Sequence, residues 1–529
     1  MAEVALSRRN VLIGGAAAVF GLTACGRQAG PTGSAGASPR AEADPQRGGE
    51  LRIPLTQEPI APAFDMGTQA AGSVGTAALS TLAYNGLIEV EDGGKIVPQL
   101  AESWEQASPT RYVFDLRKDV TFQDGTPFDA DAVKANFDRR MAPDSTAVNL
   151  PPFLEEVNVL GPHQIEFILA KPTATFVASL RRGRVMMMSP TAVEQWADTD
   201  PFRASVGTGP YQFVEYRSGD EIRLERFDEY WAETNYLDAI TFKIVPSTST
   251  QIQAFLNDEF DVIGVVPDQV SQVQRRADAV LHEYTGNTFN YLTFNQARAP
   301  FDNVDVRRGF SAAIDREGIA AGVYGGYATP ASGPFSPAIG TAHQDLSDIA
   351  AQVYDPDQAR QFLDSAGFDF AERIRFDAFT QDPWSKEADA IEAQLGEIGV
   401  QVGLEKQDFG SWADLIYTAK EFWMTNSGQT TRTVDPDEAL YPLVHSTGDL
   451  NVSGIDDPDL DTMLDDARSE SDEGIRAEMY HDIARYVADN AYAAFTVWPS
   501  EIAATSPRVQ GYRFYPGGTH PVEGCWLSS

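Results

Sequence analysis

Cysteine is almost missing from this chain, with only Cys25 and Cys525 in 529 residues, so a disulfide framework cannot be what holds it together. Histidine is scarce too. His163, His282, His343, His445, His481 and His520 are scattered, with no HExxH, no HxH and no neighbouring cysteine, which leaves no zinc signature. A Gly-x-Ser-x-Gly nucleophile elbow is also lacking. Basic residues are few, 40 against 77 acids, and the net charge of −37 excludes nucleic acid and anionic membrane surfaces as partners, because both would be repelled. The bland consequence is a well-solvated surface. Paired acids such as Asp456-Asp457 and Asp465-Asp466 are too common here to argue for glycosidase chemistry; they read as solvated helix faces.

Long apolar runs are missing as well, apart from Val11 to Ala24. That run is shorter than the roughly 20 residues needed to span a bilayer, and it follows Arg8-Arg9, so residues 1–24 read as a signal peptide, by the twin-arginine or the general secretory route. Leu22-Thr23-Ala24-Cys25 resembles a bacterial lipobox, which makes Cys25 a lipidation site and leaves Cys525 without a partner. Residues 25–47 are rich in Gly, Ala, Ser and Pro without hydrophobic periodicity, a flexible tether with a root-mean-square reach of about 25 Å.

What is present is core material: 43% hydrophobic and 10% aromatic residues, enough for two or three packed domains. The stretch VGTGPYQFVEYRSGDEIRLERFDEYW, Val206 to Trp231, turns at Gly207-Thr208-Gly209-Pro210 and predicts a hairpin with apolar residues at period two. Thr241–Val245 follows as a strand, Ser247 to Thr250 as helix caps, Ile252, Phe255 and Leu256 as one helical face, and Phe260–Val266 as a further strand. Strand, helix, strand predicts an α/β sheet. A phosphate loop is the weaker reading of Gly-Thr-Gly, because a strand rather than a helix N-terminus follows it.

Upstream, Tyr112, Phe114 and Leu116 alternate, and Asp129 is placed to cap a helix carrying Val133 and Phe137. Asp124, Asp129 and Asp131 lack EF-hand spacing, so turn and cap roles are expected. Arg181–Met188 reads as an element edge entering the core. Downstream, Asp355-Pro356 starts a helix, Ile374–Thr380 is a strand, Ala388, Ile391, Leu395 and Ile398 mark an amphipathic helix, Val400–Leu404 is a strand, Trp412–Ala419 is helical and Phe422–Met424 is a strand. This repeated alternation predicts a second α/β lobe.

Several of these stretches resemble one family. GTGPY with its hairpin, Tyr84-Asn85-Gly86-Leu87, PQLAESW from Pro98, VTFQDGTPF from Val120, NYLTFN from Asn290 and PFDNVDVRR from Pro300 are similar to the extracellular solute-binding proteins of ABC transporters, family 5, the peptide and nickel group. The resemblance implies an α/β, two-lobed periplasmic-binding-protein-like fold (type II, large cluster with an extra subdomain) with mixed sheets flanked by helices. Expected boundaries are 48–84, 196–288 and 493–529 for lobe I, 85–195 for the extra subdomain and 289–492 for lobe II.

The same resemblance implies a solute clamped between lobes by hinge closure. It implies a role for Trp423 as the pocket aromatic, with Asn426, Arg432 and Asp435 after it, Asp65 near the first strand, and Asn290 as further candidates. No acid stands early after Trp423, where peptide binders of the family hold the ligand's ammonium. Trp384 and Trp412 also suit stacking, and core packing is the competing role of all three tryptophans. The expected partners are a peptide or small-molecule ligand, ABC permease subunits, and the membrane through the lipid anchor. No nucleic acid and no cofactor are expected, and the protein should be a monomer on the outer face of the cell membrane. Oligosaccharide, opine-like conjugate and nickel chelate are alternative ligands; an extracellular hydrolase is the alternative class.

Overall fold

The expected hairpin forms as Tyr211–Arg217 paired antiparallel with Glu221–Arg226, in a computed structural model that describes residues 44–59, 74–91, 95–143, 145, 150–151, 153–181, 185–232, 235–431, 435–513 and 522–528. The chain separates into Met1–Asp44 and Pro45–Ser529, and the second unit is the one described below. Cys25 and the signal and lipobox residues, Asp65 and Arg432 lie outside the described residues.

Why the turn before the hairpin is Gly-Thr-Gly is a matter of space. A Cβ on Gly207 would sit 2.1 Å from the Ala83 carbonyl oxygen, and one on Gly209 would sit 2.5 Å from that of Leu82, so only glycine lets this strand start against the end of the helix Val74–Ala83. The glycines serve close backbone packing.

The hairpin extends into a four-stranded sheet in which Ala239–Ile244 pairs antiparallel with Glu221–Arg226 and parallel with Glu50–Leu55. Ser247 caps the helix Thr248–Leu256 by accepting from the Thr250 amide, and Val262–Gly264, shorter than the strand expected there, pairs with Val497–Thr505. Val280–Thr285 completes that second, antiparallel sheet on the other side of Val497–Thr505.

Ala101–Ser108, Arg111–Leu116, Gln164–Leu169 and Leu154–Gly161 form a separate antiparallel sheet, covered by the helix Ala130–Met141 that Asp129 caps at 2.9 Å from the Ala132 amide. Phe114, Phe122, Phe128, Phe137, Phe167 and Phe176 are all buried there, each worth about 1.5–3 kcal/mol of burial. Met186 and Met188 enter the core of the neighbouring hairpin sheet, while Met187 enters this aromatic one.

The second lobe is built on a mixed five-stranded sheet in the order Gln401–Gln407, Arg373–Phe379, Met424–Thr430, Thr288–Phe294, Ala493–Phe495. Strand periodicity divides its faces: Leu292 and Phe294 join the core beneath helices Val304–Ala312, Pro356–Ala366 and Trp384–Glu397, whereas Phe289 and Tyr291 join the core beneath Pro436–Val444 and Glu473–Asp489. The strand expected at Phe422–Met424 instead begins at Met424 and runs to Thr430. Its polar composition reads as a loop, but pairing with Thr288–Phe294 along its whole length overrides that local preference.

The chain passes between lobes twice in adjacent places. Thr288–Phe294 lies in the second-lobe sheet directly after Val280–Thr285 of the first lobe, and Ala493–Phe495 returns to Val497–Thr505. Among the described residues no helix is long and apolar enough to cross a membrane. Cys525 is buried, and burial pushes its thiol up to about 12.

Candidate ligand-binding site

A cavity of about 450 Å³ opens where the strand ends of the two lobes face each other. The first lobe contributes Leu55, Thr56 and Gln57 from the end of the first strand, Thr248 and Gln251 from the capped helix, and Val265 to Pro267. Across the gap stand Thr288, Asn290, Tyr324, Pro383, Trp384 and Thr430, and the crossover strand supplies Pro499 to Ile502. Its walls are therefore apolar and aromatic with a few polar groups, the usual composition of a small-ligand site.

Behind Asn290 lies a fully buried carboxyl. Glu387, on the helix Trp384–Glu397, accepts from Asn290 Nδ2 at 2.9 Å and from the Tyr324 hydroxyl at 2.8 Å, and the Thr496 hydroxyl reaches its other oxygen. Burial raises its pKa despite these three donors. The Tyr324 phenol is likewise raised, by burial and by the adjacent Glu387. The network holds Asn290 and Tyr324 rigidly in the cavity wall.

Two buried polar atoms of that wall have no hydrogen-bond partner among the described residues, Asn290 Oδ1 and Trp384 Nε1. Both crowd Gly428, which lies opposite Asn290 in the sheet: a Cβ there would be 2.7 Å from Asn290 Oδ1 and 3.2 Å from Trp384 Nε1. An unmade buried hydrogen bond costs about 1–3 kcal/mol, so these two atoms are a polar weak point just behind the cavity lining.

Trp384 stands at the start of its helix after Pro383, tilted against Phe379 at 5.3 Å between ring centres. Asn426 is completely buried and donates to the Trp384 carbonyl at 2.9 Å, so it positions the tryptophan rather than lining the cavity. Trp423 is elsewhere. It packs against the helical core of the second lobe, and its carbonyl accepts from the Asn295 amide at 2.8 Å. Trp412 is buried with its indole N–H on the Thr425 hydroxyl at 2.9 Å.

Asp435 also has other work: it caps Pro436–Val444 through the Asp437 amide and forms a two-pronged ion pair with Arg476 at 2.7 and 3.0 Å. Of the described candidates, then, Asn290 lines the cavity, Asn426 supports it, and Trp423 and Asp435 are not among its lining residues. Glu501 and Tyr324 went unnoticed in the sequence. A signal existed for Glu501, a lone acid inside VWPSEIAAT, a stretch that otherwise reads as a buried strand.

Residues 95–451 match the family described as bacterial extracellular solute-binding proteins, family 5 Middle. The chain belongs to that family. This solute-binding protein is 30% identical over 482 residues to heme-binding protein A of Haemophilus influenzae, covering 83% of this chain and 86% of the relative. It is 26% identical over 480 residues to the dipeptide-binding protein of Escherichia coli, covering 83% and 88%. Its fold matches the ABC transporter substrate-binding protein CtaP of Listeria monocytogenes with a TM-score of 0.82 at 23% identity, covering 92% of this chain and 100% of that one. The oligopeptide-binding protein AppA of Bacillus subtilis, solved with a nonapeptide, matches with a TM-score of 0.77 at 20% identity, covering 92% and 100%. The solute-binding protein therefore has the two-lobed fold of periplasmic binding proteins, and its cavity lies where the lobes meet.

Proposed function

We propose that this chain is the receptor of an ABC importer that captures an oligopeptide between its lobes and delivers it to the membrane permease. One observation carries the reading: a cavity of about 450 Å³ is walled by both lobes and by the crossover strand. Among its lining residues Thr248, Gln251, Thr288 and Thr430 carry polar groups suited to the backbone amides and carbonyls of a short peptide. Similar proteins are named for heme, glutathione, dipeptide, oligopeptide and nickel ligands, and the dipeptide- and oligopeptide-binding ones support peptide. Calorimetric titration with di- to hexapeptides tests it, and no heat with any peptide would reject it.

The receptor works without chemistry on its solute, so mass spectrometry should return a bound peptide intact. Residues 1–24 direct export, Cys25 carries lipid, and 25–47 tether a monomer to the outer face of the membrane. Lobe I is assigned to 48–84, 196–287 and 497–529, the extra subdomain to 85–195 and lobe II to 288–496, a few residues beyond the expected bounds because Thr288 and Ala493–Phe495 pair within the second-lobe sheet. Cys25→Ala should move the protein to the soluble fraction; retention on membranes would reject the anchor.

A further inference from the structure

Among the described residues Glu501 is the only acid on the cavity wall, and no lysine, arginine or histidine lines it. It belongs to Val497–Thr505, directly opposite Tyr284 in register, with Ser500 before it hydrogen-bonded to Glu283 at 3.0 Å. No hydrogen bond or ion pair to its carboxylate is found among the described residues, although the side chain is partly buried. The titratable groups near it are acids and phenols: Tyr284 across the sheet, Glu283 beside it, Tyr512 behind, and Tyr324 on the cavity wall. Lys386, two residues after the cavity-lining Trp384, already bridges Asp268 and Asp382.

We infer that Glu501 is the anchor for a cationic group of the solute, an ammonium or guanidinium, and that this receptor selects positively charged ligands. A buried carboxylate without a counter-charge is unfavourable by itself, and a ligand cation supplies the missing charge in a site from which water is partly excluded. Burial accordingly pushes the Glu501 carboxyl up to about 7 in the unliganded protein. Position makes the site distinctive. The acid comes from the crossover strand near the end of the chain, whereas the segment after Phe422–Met424, where the family resemblance would put it, offers none early. Trp384 and Asn290 on the facing wall complete a site for a cation on a polar scaffold.

The inference rests on the binding reading above, and its test separates the two. Full-length protein and Glu501→Gln are titrated calorimetrically with tri-alanine, its N-acetylated amide, a lysine-bearing tripeptide, spermidine and choline. Cationic probes are expected to bind the wild type about tenfold tighter than the neutral acetylated peptide, with the difference erased in Glu501→Gln. If peptides bind without charge preference, or the preference survives in Glu501→Gln, the inference falls and the peptide reading stands. Should only spermidine or choline bind, and lose binding in Glu501→Gln, the inference stands and the peptide reading falls. Silence from every cationic probe overturns it. Should Glu501→Gln fold poorly, the wild type decides alone: its cation preference must fade between about pH 8 and about pH 5.5 as the carboxyl protonates, and a flat profile rejects the anchor.

Discussion

Lys386 Nζ lies 2.8 Å from Asp268 Oδ2, joining the helix Trp384–Glu397 of the second lobe to the Pro267–Gln269 turn of the first, beside the cavity-lining Trp384 and Pro267. The same ammonium holds Asp382 at 2.9 Å, so a single cation ties the Trp384 helix start to the opposite wall. Both carboxylates and the lysine are about half exposed, which limits the bridge to about 0–1 kcal/mol and makes it salt-sensitive. Lys386→Ala should therefore enlarge the average radius of the liganded protein in X-ray scattering and weaken ligand binding by about two- to fivefold. Raising salt should do the same to the wild type but not to the variant; equal salt dependence in both would show the bridge to be irrelevant to closure.

The two tryptophans should part company on mutation. Trp384 stands in the cavity wall, so Trp384→Ala should cost more than about 1 kcal/mol of ligand affinity. Trp423 packs against the core of the second lobe, so Trp423→Ala should lower stability by about 2–4 kcal/mol and leave affinity within about twofold. Denaturant melts and calorimetry on both variants check this, and the reverse assignment would place the ligand elsewhere.

Glu501 also fixes a pH dependence of stability. Its folded-state pKa is raised from 4.5 to about 7, so the folded protein binds the extra proton and stability is lost as pH rises between those values. Glu501→Gln removes that loss. The variant should gain about 1–3 kcal/mol over the unliganded wild type above about pH 7 and nothing below about pH 4.5, read as a difference in Tm across the range. A gain at low pH instead would mean that the carboxylate is stabilised in the fold.

Gly428 tests how tightly the wall is built. Gly428→Ala places a Cβ 2.7 Å from Asn290 Oδ1, which must move although its amide nitrogen is held by Glu387 and Tyr324. A cost of about 1–3 kcal/mol in stability and a clear loss of ligand affinity are expected. Unchanged binding would show that Asn290 does not touch the ligand.

Local signals carried the architecture far. The hairpin after Gly207, the cap at Asp129 and the helix opened by Asp355-Pro356 are all where period and capping chemistry put them. Each depends on residues within a turn or two of one another. The Met424–Thr430 strand was not legible, because its polar residues gain their structure from Thr288–Phe294, more than a hundred positions earlier.

The cavity shows the same divide more sharply. From sequence, Trp423 is the pocket aromatic that the resemblance implies, Trp384 only a further candidate for stacking, and Asp435 one acid among 77. Their roles separate only when the sheet order places Trp384 at the lobe boundary, Trp423 against helices, and Asp435 on Arg476. The sequence by itself determined that this is an acidic protein with two α/β lobes, because composition, caps and period-two patterns act over short distances along the chain, and its motifs carried the resemblance to solute-binding proteins. Which side chains line the cavity was decided by the tertiary structure alone. Leu55, Val265, Asn290, Trp384 and Glu501 are far apart in the chain, and a binding site is defined by what converges in space.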